Sequence, residues 1–232
     1  DTTDVTVVAA REVAVFDAPL GSLSRPSWRG RLHVFALPVA LVAMTALGVF
    51  VADGPRARTA VVIYAVGLCS MFAASATYHR WVHTLRAREL WRRTDHAMIY
   101  AAIAGTFTPL CLQAVPDRWG LPLLAGVWML VAASAMLKVV GSGWRHTRIV
   151  GGSLYGVISA VAGLAVPALW HRYGVVPALL VIGGGIFYVV GAVGFHRKWP
   201  TLRPGVFSYH EVWHAHTVVA AALHFAAVAL IL

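Results

Sequence analysis

Charged residues are missing from seven long apolar windows of this 232-residue chain. Each window has at least 19 residues without Asp, Glu, Lys or Arg, and a helix needs roughly 20 residues to cross a bilayer core about 30 Å thick. The windows cover residues 32–52, 59–79, 96–116, 119–137, 149–171, 173–196 and 212–232. This pattern predicts an all-α integral membrane protein, with a bundle of seven transmembrane helices over residues 32–232.

The basic residues lie mostly on one side of the predicted bundle. Fifteen of the 19 Lys and Arg residues fall in the N-terminal segment 1–31 and in the loops 80–95, 138–148 and 197–211, and four fall on the opposite side. We interpret residues 1–31 as a polar tail and not as a signal peptide. Because cytoplasmic loops carry the excess of Lys and Arg, the tail is expected in the cytoplasm, with the C-terminus outside a multi-pass cell-membrane protein.

Composition narrows the classes of function. Only 12% of the residues are charged and 59% are hydrophobic, which is atypical of a soluble domain. The net charge of +10 follows from the loop asymmetry, so we expect no nucleic-acid partner. Both cysteines, Cys69 and Cys111, lie inside apolar windows, which excludes a disulfide scaffold and a cysteine-rich zinc module.

The predicted topology groups a few of the eleven histidines. His79 ends the second window, Asp95 precedes the third, and His210 and His214 lie four residues apart where the seventh begins, so all four belong to cytoplasmic helix ends. Three imidazoles with one open position form the ligand set of a catalytic zinc site. We therefore predict a Zn²⁺ site at these histidines, with Asp95 holding or deprotonating water and Ser75, one turn before His79, as a supporting partner.

Simpler roles are open for the same residues. Asp95 can cap the third helix or pair with Arg92 or Arg93, and His79 can be an interfacial histidine without a metal. His83, one turn beyond His79, is a weaker ligand candidate because it already lies in the predicted loop.

Glu211 has two competing interpretations. The sequence from His210 to His214 matches the His-Glu-x-x-His pattern of zinc metalloproteases, in which the glutamate is the general base. Ser208 precedes Glu211 by three residues, however, and Ser-x-x-Glu before an apolar run is typical of a capping box. Glu211 is thus either a helix cap or a base.

Three motifs together resemble the hemolysin III family, the bacterial branch of the progestin and adipoQ receptor superfamily, which is itself similar to alkaline ceramidases. They are Ser-Ala-Thr-Tyr-His at residues 75–79, the segment from Asp95 to Pro109, and His-Glu-Val-Trp-His at residues 210–214. The resemblance extends from about residue 25 onward. It implies a seven-helix membrane bundle with its N-terminus inside and zinc held by the two His motifs. It also implies that Asp95 holds the zinc-bound water and that Glu211 is not a ligand.

The resulting hypothesis is an integral-membrane zinc-dependent hydrolase, similar to a ceramidase, that acts on a lipid amide or ester. A membrane lipid is then the substrate or ligand, and Tyr100, Thr106 and His224 are candidates to line its site. Three alternatives stay open: a non-catalytic zinc-containing lipid sensor or regulator, a hemolysin-type protein that permeabilises membranes, and an intramembrane protease. The sequence leaves the oligomeric state undetermined.

Overall fold

Helices joined by short connections make up most of the described chain. The computed structural model describes residues 25–140, 155–161 and 163–232. Its named helices are α1 Arg31–Ala46, α2 Gly54–Arg80, α3 Leu85–Ala114, α4 Asp117–Val140, α5 Val166–Tyr173, α6 Val175–His196 and α7 Tyr209–Ala229. A π-helical turn, Leu47–Val51, continues α1. Within the described ranges six helices are long and apolar enough to cross a membrane, namely α1 with its continuation, α2, α3, α4, α6 and α7. The prediction of a helical, multi-pass membrane bundle is confirmed.

The fifth predicted span lies partly outside the described residues. Of the window 149–171, residues 149–154 and 162 are not described, as are most of the tail 1–31 and of the loop 138–148. The described part consists of helical residues 155–161, a turn at 164–165, and α5, which has Pro167 in its first turn. Proline has no backbone N–H to donate, so it is tolerated in the first turn of a helix, whereas Pro38 and Pro109 lie inside α1 and α3 without ending them.

The third helix begins earlier than the charge pattern predicts. We expected a loop over residues 80–95, but α3 begins at Leu85, and the Thr84 side chain caps it by accepting a hydrogen bond from the Ala87 N–H at 3.2 Å. Charged residues end a membrane-spanning window without ending a helix. Here Glu89 pairs with Arg92 and Arg93, three and four residues later, as is favourable on a helix surface.

The two most buried helices, α2 and α3, cross at a pair of glycines. A Cβ atom added to Gly67 would lie 2.5 Å from the Ala101 carbonyl oxygen, and one added to Gly105 would lie 3.1 Å from the Ile63 carbonyl oxygen. Small residues allow membrane helices to approach this closely. The other helices surround this pair and turn large apolar side chains outward, for example Val42 of α1, which is 71% exposed.

One end of the bundle brings together segments that are far apart in sequence. The helix α1 packs against both α2 and α7, and α7 packs along α6. As a result the beginning of α1, the end of α2 and the beginning of α7 are neighbours. All the histidines that the topology grouped on α2 and α7 lie at this end.

The close crossing of α2 and α3 generates the first prediction. Gly67→Ala is expected to lower the free energy of unfolding by about 1–3 kcal/mol, because the added methyl group overlaps backbone and not a flexible side chain. Gly126→Ala in α4 is the matched control, since a Cβ at Gly126 meets nothing within 4 Å. Thermal unfolding in detergent measures both, and equal stabilities for the two variants would contradict the crossing.

Candidate metal centre

Three histidines from two helices converge at one end of the bundle. Each of His79, His210 and His214 offers one ring nitrogen, and these three atoms all lie within 4.8 Å of one another. The Nε2 atoms of His79 and His210 are 3.2 Å apart. His79 and His214 are buried, with 6% and 3% exposure, and His210 is partly buried. The structure therefore brings together the three imidazoles that the sequence grouped.

Helix geometry explains how the three rings meet. His210 and His214 are one turn apart in the first two turns of α7, so they project from the same face of the helix. His79 lies in the last turn of α2. The ring centroid of His214 is 4.8 Å from that of His210 and 5.0 Å from that of His79.

Two observations indicate that these residues can bind a cation. Two nitrogen ligands on a tetrahedral zinc ion with Zn–N near 2.0–2.1 Å are about 3.3 Å apart, and the two Nε2 atoms of His79 and His210 are 3.2 Å apart. In addition, the three ring nitrogens of His79, His210 and His214 all lie within 4.8 Å of one another, close enough for one ion to contact all three. An all-imidazole donor set suits zinc, and also copper, iron and nickel.

Asp95 and Ser75 form a pair close to the cluster. The Ser75 hydroxyl lies close enough to the Asp95 carboxyl group to interact with it electrostatically, and Ser75 lies one turn before His79 on α2. The Asp95 side chain is 14% exposed. The structure therefore places a largely enclosed carboxyl group beside the helix end that carries His79.

The simpler interpretation of Asp95 as a helix cap is wrong, because α3 begins at Leu85 and is capped by Thr84. Arg92 and Arg93, its other predicted partners, both donate to Glu89.

Glu211 forms the capping box at the start of α7. Its Oε2 atom accepts hydrogen bonds from the Ser208 backbone N–H at 2.6 Å and from the Ser208 hydroxyl. Its other oxygen accepts a hydrogen bond from Arg29 Nε, and the glutamate side chain has no exposure. A carboxylate bound by three donors within the protein is occupied as an acceptor, so the geometry favours the capping role over that of a general base.

The segment before α1 covers the same end of the bundle. Gly30 has φ +77°, and a Cβ atom there would lie only 2.6 Å from the His79 Cβ. Arg25 donates from Nη1 to the His79 carbonyl oxygen at 3.0 Å. The backbone N–H of Ser27 donates to the Gly205 carbonyl oxygen at 3.0 Å. Residues 25–30 thus connect the end of α2 to the turn that precedes α7.

Three predicted lining residues lie elsewhere in the bundle. Tyr100 is fully buried and stacks on Tyr155, with ring centroids 4.2 Å apart. The Thr106 hydroxyl donates to a carbonyl one turn earlier in α3, and the His224 Nε2 atom hydrogen-bonds to the Val181 carbonyl oxygen at 3.1 Å. These are packing contacts, and the lining role stays a prediction. His83 is exposed in the connection between α2 and α3, away from the cluster.

Sequence reasoning gave His33 no role, although the structure places it against the cluster. Its ring stacks on His214 with centroids 4.1 Å apart, and its exposure is 2%. A signal was available, because His33 begins the first window and thus shares the predicted cytoplasmic end. Its spacing matches no metal-ligand motif, since its neighbours in space are distant in sequence.

Comparisons with known proteins indicate the family to which the chain is similar. The model of the family described as Haemolysin-III related matches residues 22–225. The chain is 28% identical to Hemolysin-3 of Bacillus cereus over 171 residues, which cover 73% of each protein. It is 25% identical to the Hemolysin-3 homolog of Bacillus subtilis (strain 168) over 196 residues, or 83% of this chain and 87% of the relative. It is also 28% identical to Heptahelical transmembrane protein ADIPOR2 of Oryza sativa subsp. japonica over 191 residues, or 73% and 80%.

The ion pair between Arg29 and Glu211 is the basis of the second prediction. Arg29→Met is expected to lower the free energy of unfolding by about 3 kcal/mol, because it leaves the buried Glu211 carboxylate without its cation. Combining it with Glu211→Gln should restore at least half of this loss, since the neutral amide can still accept from the Ser208 N–H. Chemical unfolding in detergent measures the complete double-mutant cycle. A loss below about 0.5 kcal/mol for Arg29→Met, as in an exposed pair, would contradict the prediction.

Proposed function

The chain belongs to the haemolysin-III-related family, and from this membership and the histidine cluster we propose that it is an integral-membrane, zinc-dependent hydrolase of a lipid amide or ester. One observation carries the proposal: three largely buried imidazoles from α2 and α7 converge within 4.8 Å beside a Ser75–Asp95 pair. A convergent set of neutral ligands with a nearby carboxyl group is the arrangement that metal-assisted hydrolysis requires.

Each residue has a separate task in this proposal. His79, His210 and His214 hold the ion, which when bound supplies a Lewis acid for a carbonyl oxygen and favours deprotonation of water. Asp95 accepts the proton from the attacking water and returns it to the leaving group, as a general base and then a general acid. Ser75, beside Asp95, supports the carboxyl group through electrostatic interaction with its hydroxyl. Glu211 stays with Ser208 and Arg29 and takes no part in proton transfer.

A membrane lipid is the substrate that best suits this position. The six candidate spans place the protein within a bilayer, and large apolar side chains such as Val39 and Phe50 of α1 turn outward with 68% and 83% exposure. A lipid reaches such a site without leaving the membrane, and its amide or ester bond lies at the depth where the apolar core gives way to the headgroups. The N-terminus is expected in the cytoplasm, which would place the site near the inner leaflet.

The names of the Bacillus relatives favour membrane permeabilisation as a second candidate. A permeabilising protein needs no metal, so zinc-free liposomes separate the two functions. Ion conductance through such liposomes, unchanged by His79→Ala, would support permeabilisation over hydrolysis.

Metal analysis of the detergent-purified protein tests the ligand set. We expect about one zinc ion per chain in the wild type and less than a tenth of that in His79→Ala and His214→Ala, because two imidazoles alone bind zinc weakly. His83→Ala is the matched control and should keep full occupancy, since His83 is exposed and lies outside the cluster. Equal zinc content in all four proteins would refute the site.

Substitution of Asp95 tests turnover separately from metal binding. Asp95→Asn should keep zinc and reduce lipid hydrolysis by about 10²–10⁴-fold, the usual contribution of general acid–base catalysis. Hydrolysis is measured on ceramides, N-acyl amines and phospholipids in mixed micelles, with His83→Ala as a control that should remain active. Stoichiometric zinc without hydrolysis of any of these lipids would instead identify a zinc-containing sensor. Loss of peptide cleavage in Glu211→Gln but not in Asp95→Asn would identify a protease.

A further inference from the structure

A fourth histidine, His33 of α1, packs against the metal-binding cluster without belonging to it. Its ring lies nearly parallel to that of His214, with an angle of 11° between the planes and 4.1 Å between the centroids. Phe72 of α2 contacts the His33 ring with centroids 5.1 Å apart. Only 2% of His33 is exposed. The ring is therefore enclosed by α2 and α7, and it covers one face of His214.

Hydrogen bonds assign the proton on His33. The Thr217 hydroxyl donates its single hydrogen to the His214 carbonyl oxygen at 2.7 Å. The same Thr217 oxygen lies 2.9 Å from the His33 Nε2 atom, so it can only accept there. We therefore assign the hydrogen of the neutral His33 ring to Nε2. This bond fixes His33 to α7 one turn beyond the residue on which it stacks.

The contact matters because the His214 ring, which also lies against the rings of His79 and His210, has no hydrogen bond at Nδ1 to fix its orientation within the described residues. The second torsion of a histidine side chain has a broad, shallow preference. In metal-binding histidines this torsion is usually fixed by a hydrogen bond from the ring nitrogen that does not bind the metal. Within the described ranges, however, His214 Nδ1 has no hydrogen-bond partner. The His33 ring, whose centroid is 4.1 Å away, restricts rotation of the His214 ring about this torsion because the two rings are in face-to-face contact.

We infer that His33 is a positioning residue of the metal centre: anchored to Thr217, it holds the His214 imidazole in the plane in which that ring meets His79 and His210. This inference rests on the proposed function, because it concerns a ligand of the proposed ion. It adds α1 to a site that the motifs confine to α2, α3 and α7. It also separates binding of the ion from orientation of a ligand, since His33 does not belong to the group of three histidines.

Four variants separate anchoring, stacking and bulk. His33→Ala removes both ring and anchor, and His33→Phe keeps a flat ring but loses the N–H. Thr217→Val removes the anchor at nearly constant volume, and Thr217→Ser keeps the hydroxyl. His216→Ala is the matched control, because His216 lies on the same helix and packs on Phe187, away from the cluster.

Zinc affinity and the spectrum of the cobalt-substituted protein are the readouts. We expect zinc affinity, measured by competition with a chromophoric chelator, to fall about 10–100-fold in His33→Ala, as is usual for loss of a supporting partner. His33→Phe and Thr217→Val should lose about tenfold, at the lower end of that range. Thr217→Ser and His216→Ala should match the wild type. The Co²⁺ absorption bands should shift in the weakened variants, because the ligand geometry changes and not only the occupancy.

Thermal unfolding of the metal-free proteins distinguishes positioning from stability. A variant that is merely less stable unfolds at a lower temperature but keeps the wild-type Co²⁺ spectrum once loaded, and that result for both His33→Phe and Thr217→Val would overturn the inference. Wild-type zinc affinity in these two variants would overturn it as well, while leaving the proposed function intact. A wild-type protein that binds neither Zn²⁺ nor Co²⁺ would overturn both.

Discussion

The Glu211 carboxylate has no exposure, so the start of α7 is stable only where hydrogen-bond donors surround that group. Ser208 supplies two donors from within the capping box, and Arg29 supplies the third from the segment before α1. This arrangement fixes where α7 begins and which segment lies beside it. Because His210 and His214 lie in the first two turns of α7, the position of their backbone follows from the same hydrogen bonds.

Two carboxyl groups lie near the cluster, and their surroundings determine how available each is to accept a proton. Glu211 accepts hydrogen bonds at both oxygens, one from Arg29 and the others from Ser208 at the start of α7. Asp95 has a hydroxyl partner, Ser75, and no helix end to cap. A general base must have an oxygen available to accept a proton, and the environment of Asp95 is better suited to that task. The His-Glu-x-x-His pattern alone does not reveal this difference.

The sequence was sufficient to predict the bundle and the grouping of His79, His210 and His214, because the apolar windows fix the topology and the topology fixes which helix ends are neighbours. It did not predict that α3 begins at Leu85, since a helix with paired surface charges continues beyond the membrane-spanning window. Nor did the sequence predict the contact between His33 and His214. Such a contact depends on which face α1 turns toward α7, and an apolar pattern on nearly every face of α1 does not specify that rotation.

Gly30 touches His79, and the residues beside it hold the turn before α7, so the first described segment and the last helix complete the same end of the bundle. These two parts are synthesised at different times, because residues 25–33 leave the ribosome well before their partners in α7 and the turn that precedes it. Until α7 inserts, Arg29 lacks the Glu211 carboxylate and His79 lacks the imidazoles of His210 and His214. The three histidines can therefore share one cation only after α7 has been inserted beside α2.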